Sequence, residues 1–249
     1  MDASKVAWRR IAGDTASGEL YQTSLITALL QGVYDGEMEF VEVMRHGDFG
    51  LGTFNGLDGE MVAAEGEFYQ LHSDGTATPV RPDQKTPFAA VTHFVPQQEL
   101  RVTATVSRND LLPIIAWAAQ KNLFTAVQIE GLFQEVRTRT VAKQTRPYPP
   151  LTEAAGDDAE NIVRLTKGTL VGFLSPDYAQ GFQVAGFHLH FLSEDKTVGG
   201  HMLDFIAQDV TIRISPIHRL HVELPTSVAF LNAEMNGSDV NRAIQQAEG

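Results

Sequence analysis

Cysteine is absent from this chain of 249 residues. Because there is no thiol, the chain forms no disulfide bond and offers no thiolate to a metal ion. Any bound metal must therefore be held by nitrogen and oxygen ligands. This chemistry leaves zinc, manganese, iron, nickel and copper open.

Positive charge is scarce, because 19 Lys and Arg residues stand against 31 Asp and Glu residues and the net charge is −12. Such a balance disfavours a surface that follows nucleic-acid phosphates or binds an anionic membrane. No apolar run approaches the ~18 residues that a membrane span needs, and the N-terminus lacks the features of a secretory signal. We therefore expect a cytoplasmic protein with no nucleic-acid or membrane partner.

The stretch from Gly186 to Phe191 alternates apolar side chains with His188 and His190. In a β-strand this period of two places both imidazoles on one face and the apolar side chains on the other. The polar residues 193–196 then predict a hairpin turn, which would bring His190 opposite His201. The pattern predicts a cluster of three imidazoles on two paired strands.

Directly opposed Cβ atoms in a sheet lie roughly 4.5–5.5 Å apart. Three histidines at this spacing suit a metal site with three protein ligands and open positions for water or substrate. Gly199 and Gly200 precede the third histidine, and a bulge there would change the register. Half-exposed strand histidines without a metal are the alternative interpretation.

Residues 47–62 contain five glycines between positions 47 and 59. This density predicts tight turns and a close approach of the backbone to another group. The segment lacks the Gly-Lys-Ser/Thr ending of a phosphate-binding P-loop. Thr53 and Glu60 flank the predicted turn, either as site residues or as an ordinary strand threonine and a solvated glutamate.

Two short strands, 124–130 and 132–142, are predicted to form a hairpin around Gly131. Alternation in the second strand places Arg137 and Arg139 on one face. An arginine on a central strand needs a carboxylate, from the protein or from a ligand, to offset the loss of solvation. Exposure of both arginines is the competing interpretation.

The element pattern predicts a β-rich α/β (α+β) fold in two domains, each built on a β-sheet. A proline-stiffened linker begins at Pro147. We expect a flexible arm over residues 1–19, a mixed β-sheet domain with short helices over 20–146, and a β domain over 147–249. The last part carries the histidines and ends in a short helix over residues 238–246.

Several separated segments resemble the signature segments of the bacterial α-acetolactate decarboxylase family. They are Gly32-Val33-Tyr34-Asp35-Gly36, Gly47-Asp48-Phe49-Gly50-Leu51-Gly52-Thr53-Phe54-Asn55, Leu57-Asp58-Gly59-Glu60, Gly186-Phe187-His188-Leu189-His190-Phe191 and Gly199-Gly200-His201. The resemblance extends from about residue 20 to the C-terminus. The joint occurrence of these segments is highly specific.

The resemblance implies a carbon–carbon lyase that converts 2-acetolactate to acetoin and CO₂, a step of acetoin and butanediol formation. It implies Zn²⁺ on His188, His190 and His201 at the interface of the two domains, with no organic cofactor. The zinc would act as the Lewis acid that stabilises an enediolate, which is then protonated on one face.

The resemblance also assigns roles outside the histidines. Arg139 is the active-site arginine, Glu60 an active-site carboxylate, and Thr53 a residue that lines the site. A glutamate very near the C-terminus reaches the metal site in this family, and Glu248 is the matching residue.

Two alternatives stay open. His188, His190 and Glu194 reproduce the first metal-binding spacing of a cupin, although the second cupin motif is missing around His201. The second alternative is a non-enzymatic metal-binding module, in which a fourth protein ligand completes the coordination shell of the metal. The sequence leaves the oligomeric state open, with a homodimer as one candidate.

Overall fold

A computed structural model of the chain describes residues 7–11, 18–154, 160–235 and 242–244. Its strands are β1 (Arg9–Arg10), β2 (Glu19–Thr23), β3 (Met38–Glu39), β4 (Phe49–Thr53), β5 (Glu60–Ala64), β6 (Glu67–Leu71), β7 (Ala77–Pro79), β8 (Lys85–Thr86), β9 (Ala89–Thr92), β10 (Gln98–Val102), β11 (Val106–Ser107), β12 (Phe124–Arg139), β13 (Glu160–Ser175), β14 (Gly186–Ser193), β15 (Gly199–Ile217) and β16 (Arg219–Glu223). Strands dominate the fold, as the sequence predicted.

The helices are short. They are α1 (Ile26–Leu30), α2 (Phe40–His46), α3 (Arg108–Ala118), α4 (Leu151–Ala154) and α5 (Val228–Leu231), with single 3₁₀ turns at Asn55–Leu57 and Asp177–Ala179. The side chain of Ser107 caps α3 by accepting a hydrogen bond from the Asp110 amide. No helix within the described ranges is both long enough and apolar enough to cross a membrane.

The strands form two seven-stranded sheets and one two-stranded sheet of β3 and β8. The first sheet has the order β16-β2-β9-β4-β5-β6-β7, and the second has the order β1-β10-β15-β12-β13-β14, with β11 also paired to β15. Because β14 pairs with β15 as well as with β13, the strands β12, β13, β14 and β15 form a closed ring of neighbours. This closure fixes the relative positions of β14 and β15, the strands that carry the histidines.

The two sheets pack against each other through alternate side chains. Leu51 and Val62 of the first sheet share one buried cluster with Val171 and Phe173 of the second. Each such fully buried side chain contributes about 1.5–3 kcal/mol to folding. The other face of the first sheet packs against α2, and α3 packs into a separate cluster with the second sheet. The space between the sheets is thus the main core.

The predicted hairpin around Gly131 is wrong, because β12 runs through this glycine as one strand of 16 residues. The register shifts between Gly131 and Leu132, so the glycine marks a bulge and not a reversal. A Cβ atom at Gly131 would lie 2.4 Å from the Asp209 carbonyl oxygen. Only glycine avoids this clash. A glycine between two strand segments is a sequence signal both for a bulge and for a turn.

The strands do not divide at residues 146 and 147, where the linker was predicted. β10, β11 and β12 precede that position and lie in the second sheet, whereas β16 follows it and lies in the first. Within the predicted arm, β1 pairs with β10. The division into domains stays a prediction, but each sheet draws strands from both sides of it.

Candidate metal centre

His188, His190 and His201 converge as the sequence predicted. His190 of β14 and His201 of β15 are directly paired, so Gly199 and Gly200 do not change the register. One ligand atom from each imidazole lies within 4.8 Å of the others. The three side chains are 5%, 1% and 5% exposed, which excludes the interpretation as half-exposed strand histidines.

The face of β14 that carries the imidazoles is set by its alternation. Leu189 and Phe191 point into the cluster shared with α3, and this directs His188 and His190 to the opposite face. On that face Leu192 belongs to the core between the two sheets. The histidines therefore face the first sheet.

A backbone contact from the first sheet orients His190. Its Nδ1 lies 2.8 Å from the carbonyl oxygen of Met61 in β5. Since a carbonyl oxygen only accepts, Nδ1 donates and Nε2 keeps a free lone pair. Nε2 is buried and makes no hydrogen bond to the described residues. A buried imidazole with this tautomer fits a metal ligand oriented by an outer partner.

Burial also keeps the imidazoles of His188 and His190 neutral. Desolvation lowers the pKa of His188 to about 4. It lowers the pKa of His190 well below its usual value, and the neighbouring His188 and His201 lower it further. Only the neutral imidazole has a lone pair for a metal, so these shifts leave His188 and His190 able to bind a cation at neutral pH.

Glu60 faces the cluster from the first sheet. It is the first residue of β5, and its Oε2 lies 3.8 Å from His190 Nε2. The preceding turn can reach this close because Gly59 has a φ of 82° and no Cβ, which would lie 2.1 Å from the Leu71 carbonyl oxygen. The glycine-rich segment thus delivers a carboxylate to the histidines.

Thr53 lies beside Glu60, as its Cα partner across β4 and β5. Its hydroxyl donates to the Gly59 carbonyl oxygen at 2.7 Å. The side chain lines the same cavity as His188 and His201. Its observed contact holds the turn that carries Glu60.

Arg139, the last residue of β12, is the Cα partner of His201. Since His201 also pairs with His190, the three residues form a row across neighbouring strands on one face. Arg139 is half-buried and lines the cavity, whereas Arg137 is exposed. The structure thus distinguishes two arginines that strand alternation alone left equivalent.

A cavity of about 40 Å³ lies where the two sheets meet. Its polar lining consists of Thr53, Glu60, Arg139, His188 and His201. Its apolar lining consists of Ile26, Leu29, Leu57, Phe88, Val141 and Leu151. One water molecule needs about 10–15 Å³ of such space, so the cavity suits a small ligand.

The apolar wall and the Met61 carbonyl group were not predicted from the sequence. Buried leucines and phenylalanines give no signal of their own beyond core packing, and a backbone group gives none. The nearest hint was the glycine-rich turn, which predicted close backbone approach without saying to what.

Two of the residues named from the sequence remain to be considered, Glu248 and Glu194. Glu248 and most of the predicted C-terminal helix lie outside the described residues. Glu194, which the cupin alternative requires, sits on the hairpin turn with 71% of its side chain exposed and lies 4.0 Å from Lys167. It is not a member of the histidine cluster.

Comparisons with known proteins place this arrangement in a family. The family model for alpha-acetolactate decarboxylase matches residues 20–237. An alpha-acetolactate decarboxylase of Bacillus subtilis is 43% identical over 237 residues, which cover 95% of this chain and 93% of the relative. One of Methylococcus capsulatus is 45% identical over 231 residues, which cover 92% and 88%.

Solved structures agree with this. The crystal structure of alpha-acetolactate decarboxylase from Bacillus subtilis strain 168 superposes with a TM-score of 0.91 at 43% identity, over 93% of this chain and 99% of that one. A protein of unknown function from Staphylococcus aureus, described as similar to alpha-acetolactate decarboxylase, gives a TM-score of 0.89 at 30% identity, over 92% and 100%. By the family model, the relatives and the fold, this chain belongs to the α-acetolactate decarboxylase family.

Proposed function

We propose that this chain decarboxylates 2-acetolactate to acetoin and CO₂, with a zinc ion held by His188, His190 and His201. The observation that carries the proposal is the row of Arg139, His201 and His190, faced by Glu60 across a small cavity. The identity of the substrate is inferred from family membership. The row would supply a cation site and a partner for the substrate carboxylate, and Glu60 would carry the proton.

The three histidines fit zinc. The ligands are neutral nitrogens, the chain has no thiolate, and the buried Nε2 of His190 lacks a hydrogen-bond partner among the described residues. When bound, the ion would act as a Lewis acid that withdraws electron density from the keto and hydroxyl oxygens of the substrate. Three protein ligands leave positions open for those oxygens.

Arg139 binds the substrate carboxylate in this proposal. Its guanidinium offers paired N–H donors that match the two oxygens of a carboxylate. During the reaction the bond between the carboxylate carbon and C2 breaks and CO₂ leaves. The electron pair of that bond passes into the adjacent ketone as an enediolate. A half-buried arginine that orients the carboxylate positions this bond for cleavage.

A carboxylic acid must then return a proton to C2 to complete acetoin. The 3.8 Å separation between Glu60 Oε2 and His190 Nε2 supports Glu60 as this acid. Because the turn before it fixes its approach, it can deliver the proton to one face and so form one enantiomer. Thr53 supports this role by holding the Gly59 carbonyl group.

Glu248 is proposed to complete the site from the C-terminal tail. Ile244 is 1% exposed and belongs to the same buried cluster as Val141 and Leu151, which line the cavity. Four residues beyond Ile244 can span at most about 13–14 Å. A carboxylate near a bound cation is stabilised by it.

The test is to incubate the purified, zinc-loaded chain with racemic 2-acetolactate and to measure acetoin and CO₂. We expect equal amounts of both products, loss of activity after chelation, and recovery on adding zinc. Reconstitution with manganese, iron, nickel or copper compares the other ions that the ligands admit. A zinc-loaded protein that forms no acetoin would support the non-enzymatic metal-stabilised module instead. The cytoplasmic location and the homodimer stay predictions.

A further inference from the structure

Leu57 adopts a backbone conformation that leucine rarely takes. Its φ is 50°, and the preceding Gly56 has a φ of 72°. In this left-handed region the Cβ atom crowds the following carbonyl oxygen. A bulky residue there is an outlier that persists only where surrounding contacts impose it, and such outliers cluster at functional sites.

The contacts that impose it are backbone hydrogen bonds to two other segments. The Gly56 amide donates to the Tyr34 carbonyl oxygen at 2.8 Å, and the Gln144 amide donates to the Gly56 carbonyl oxygen at 2.6 Å. The Asn55 side chain accepts from the Gly36 amide and donates to the Gly36 carbonyl oxygen, each at 2.9 Å. Glycine would satisfy this backbone without strain, so the leucine is present for its side chain.

That side chain is 4% exposed and lines the cavity together with Glu60, His188 and His201. We infer that Leu57 determines substrate specificity by limiting the size of the alkyl group on C2 of the substrate. This inference rests on the proposed function. Once the keto and hydroxyl oxygens face the metal and the carboxylate faces Arg139, the remaining parts of a 2-alkyl-2-hydroxy-3-keto acid are apolar. They must occupy the apolar wall.

Position favours Leu57 over the other apolar lining residues. Ile26 and Leu29 belong to α1, whose described residues are all buried, so core packing accounts for them. Leu57 instead ends the 3₁₀ turn Asn55–Leu57, and among the apolar lining residues it is the one with positive φ. It also shares a turn with Glu60, three residues later. An alkyl chain longer than methyl would meet Leu57 and displace C2 from Glu60.

The experiment compares kcat/KM for 2-acetolactate and for its homologue with ethyl in place of methyl on C2. It uses the zinc-loaded full chain as wild type, Leu57→Ala and Leu57→Gly. One methylene in an apolar pocket changes specificity by about 10- to 200-fold, so both variants should raise the ratio of ethyl to methyl substrate at least about tenfold. Leu57→Gly removes the backbone strain and keeps the measurement possible if Leu57→Ala folds poorly.

Leu30→Ala is the matched control. Leu30 is 5% exposed in the same buried cluster as Leu57 but does not line the cavity. Its truncation should lower the melting temperature and leave the substrate ratio unchanged. An unchanged ratio in a folded, zinc-bound Leu57→Gly chain would overturn the inference, as would an equal change in Leu30→Ala. If the wild type makes no acetoin from 2-acetolactate, the proposed function itself fails first.

Discussion

The two sides of the cavity are built differently. His188, His190 and His201 project from regular strands, and their positions follow from register and alternation. Leu57 projects from an irregular turn held by individual hydrogen bonds to other segments, and Glu60 begins β5 directly after that turn. Under the proposed function, the strand side would hold the metal ion, whereas the turn side would select the substrate.

The strand side predicts the largest effect. Replacing His201 with Ala removes one ligand and should lower metal content sharply, with kcat/KM falling roughly 10³-fold or more because a Lewis acid contributes several kcal/mol. Metal analysis and steady-state kinetics measure both. The control is His93→Ala, since the His93 side chain is 59% exposed, and it should keep its zinc. Stoichiometric zinc in His201→Ala would contradict the ligand assignment.

Glu60→Gln tests the turn side with little change in shape. General acid catalysis contributes about 10²–10⁴-fold, so we expect kcat to fall about 10²- to 10³-fold with little change in KM. Zinc content should stay intact, in contrast to His201→Ala. A large rise in KM with kcat preserved would instead assign Glu60 to substrate binding.

Arg139→Lys keeps the charge and removes the planar fork, so kcat/KM should fall about 10²-fold while folding and zinc content persist. Arg137→Lys is the matched control, because Arg137 lies two residues earlier on the same strand and is exposed. If Arg137→Lys is impaired and Arg139→Lys is not, the strand register has been misassigned.

Deletion of Glu248 and Gly249 tests whether the tail adds a third component to the two sides. Activity should fall about tenfold, a part of what acid–base catalysis supplies, with unchanged zinc content. Glu248→Gln should reproduce the loss if the carboxylate is what matters. A truncated chain at full speed would show that the tail has no role in the reaction.

Asn55→Ala has the smallest expected effect. It tests, through stability, whether the Asn55 side chain holds the turn side of the cavity. It removes both hydrogen bonds between this side chain and Gly36, and we expect the free energy of unfolding to fall by about 1–3 kcal/mol. Urea denaturation measures this. Asn232→Ala, at an exposed side chain that donates to the Val228 carbonyl oxygen, should change stability by less than about 0.5 kcal/mol. Equal effects would mean that the turn needs no side-chain clamp.

The sequence predicted the strand side well because alternation and hairpin register are local properties. His188 and His190 share a face by spacing alone, and His201 follows from the turn between them. The turn side was predicted only in outline. Gly59 signalled a tight approach, but the partners of that turn, Tyr34 and Gln144, are far away in sequence and carry no pattern that a local rule detects.

The fold shows the same limit. Gly131 was interpreted as a reversal because a glycine between two strands has the same local signature in a bulge and in a turn. What decides is the pairing of β12 with β13 and β15 on both sides, which is a tertiary property. The family role of Arg139 came from resemblance, and the structure adds its register opposite His201.

The parallel pairing of β16 with β2 has a consequence for synthesis. Arg219 pairs with Glu19, so the first sheet gains β16 only after all its other strands have been made. Loop closure over such a separation has a large entropic cost before it yields any contact, and folds rich in such contacts form slowly. A nascent chain that has left the ribosome only as far as β9 therefore holds an unfinished sheet with β2 as an exposed edge. Such an edge presents unpaired N–H and C=O groups, with which another chain can pair.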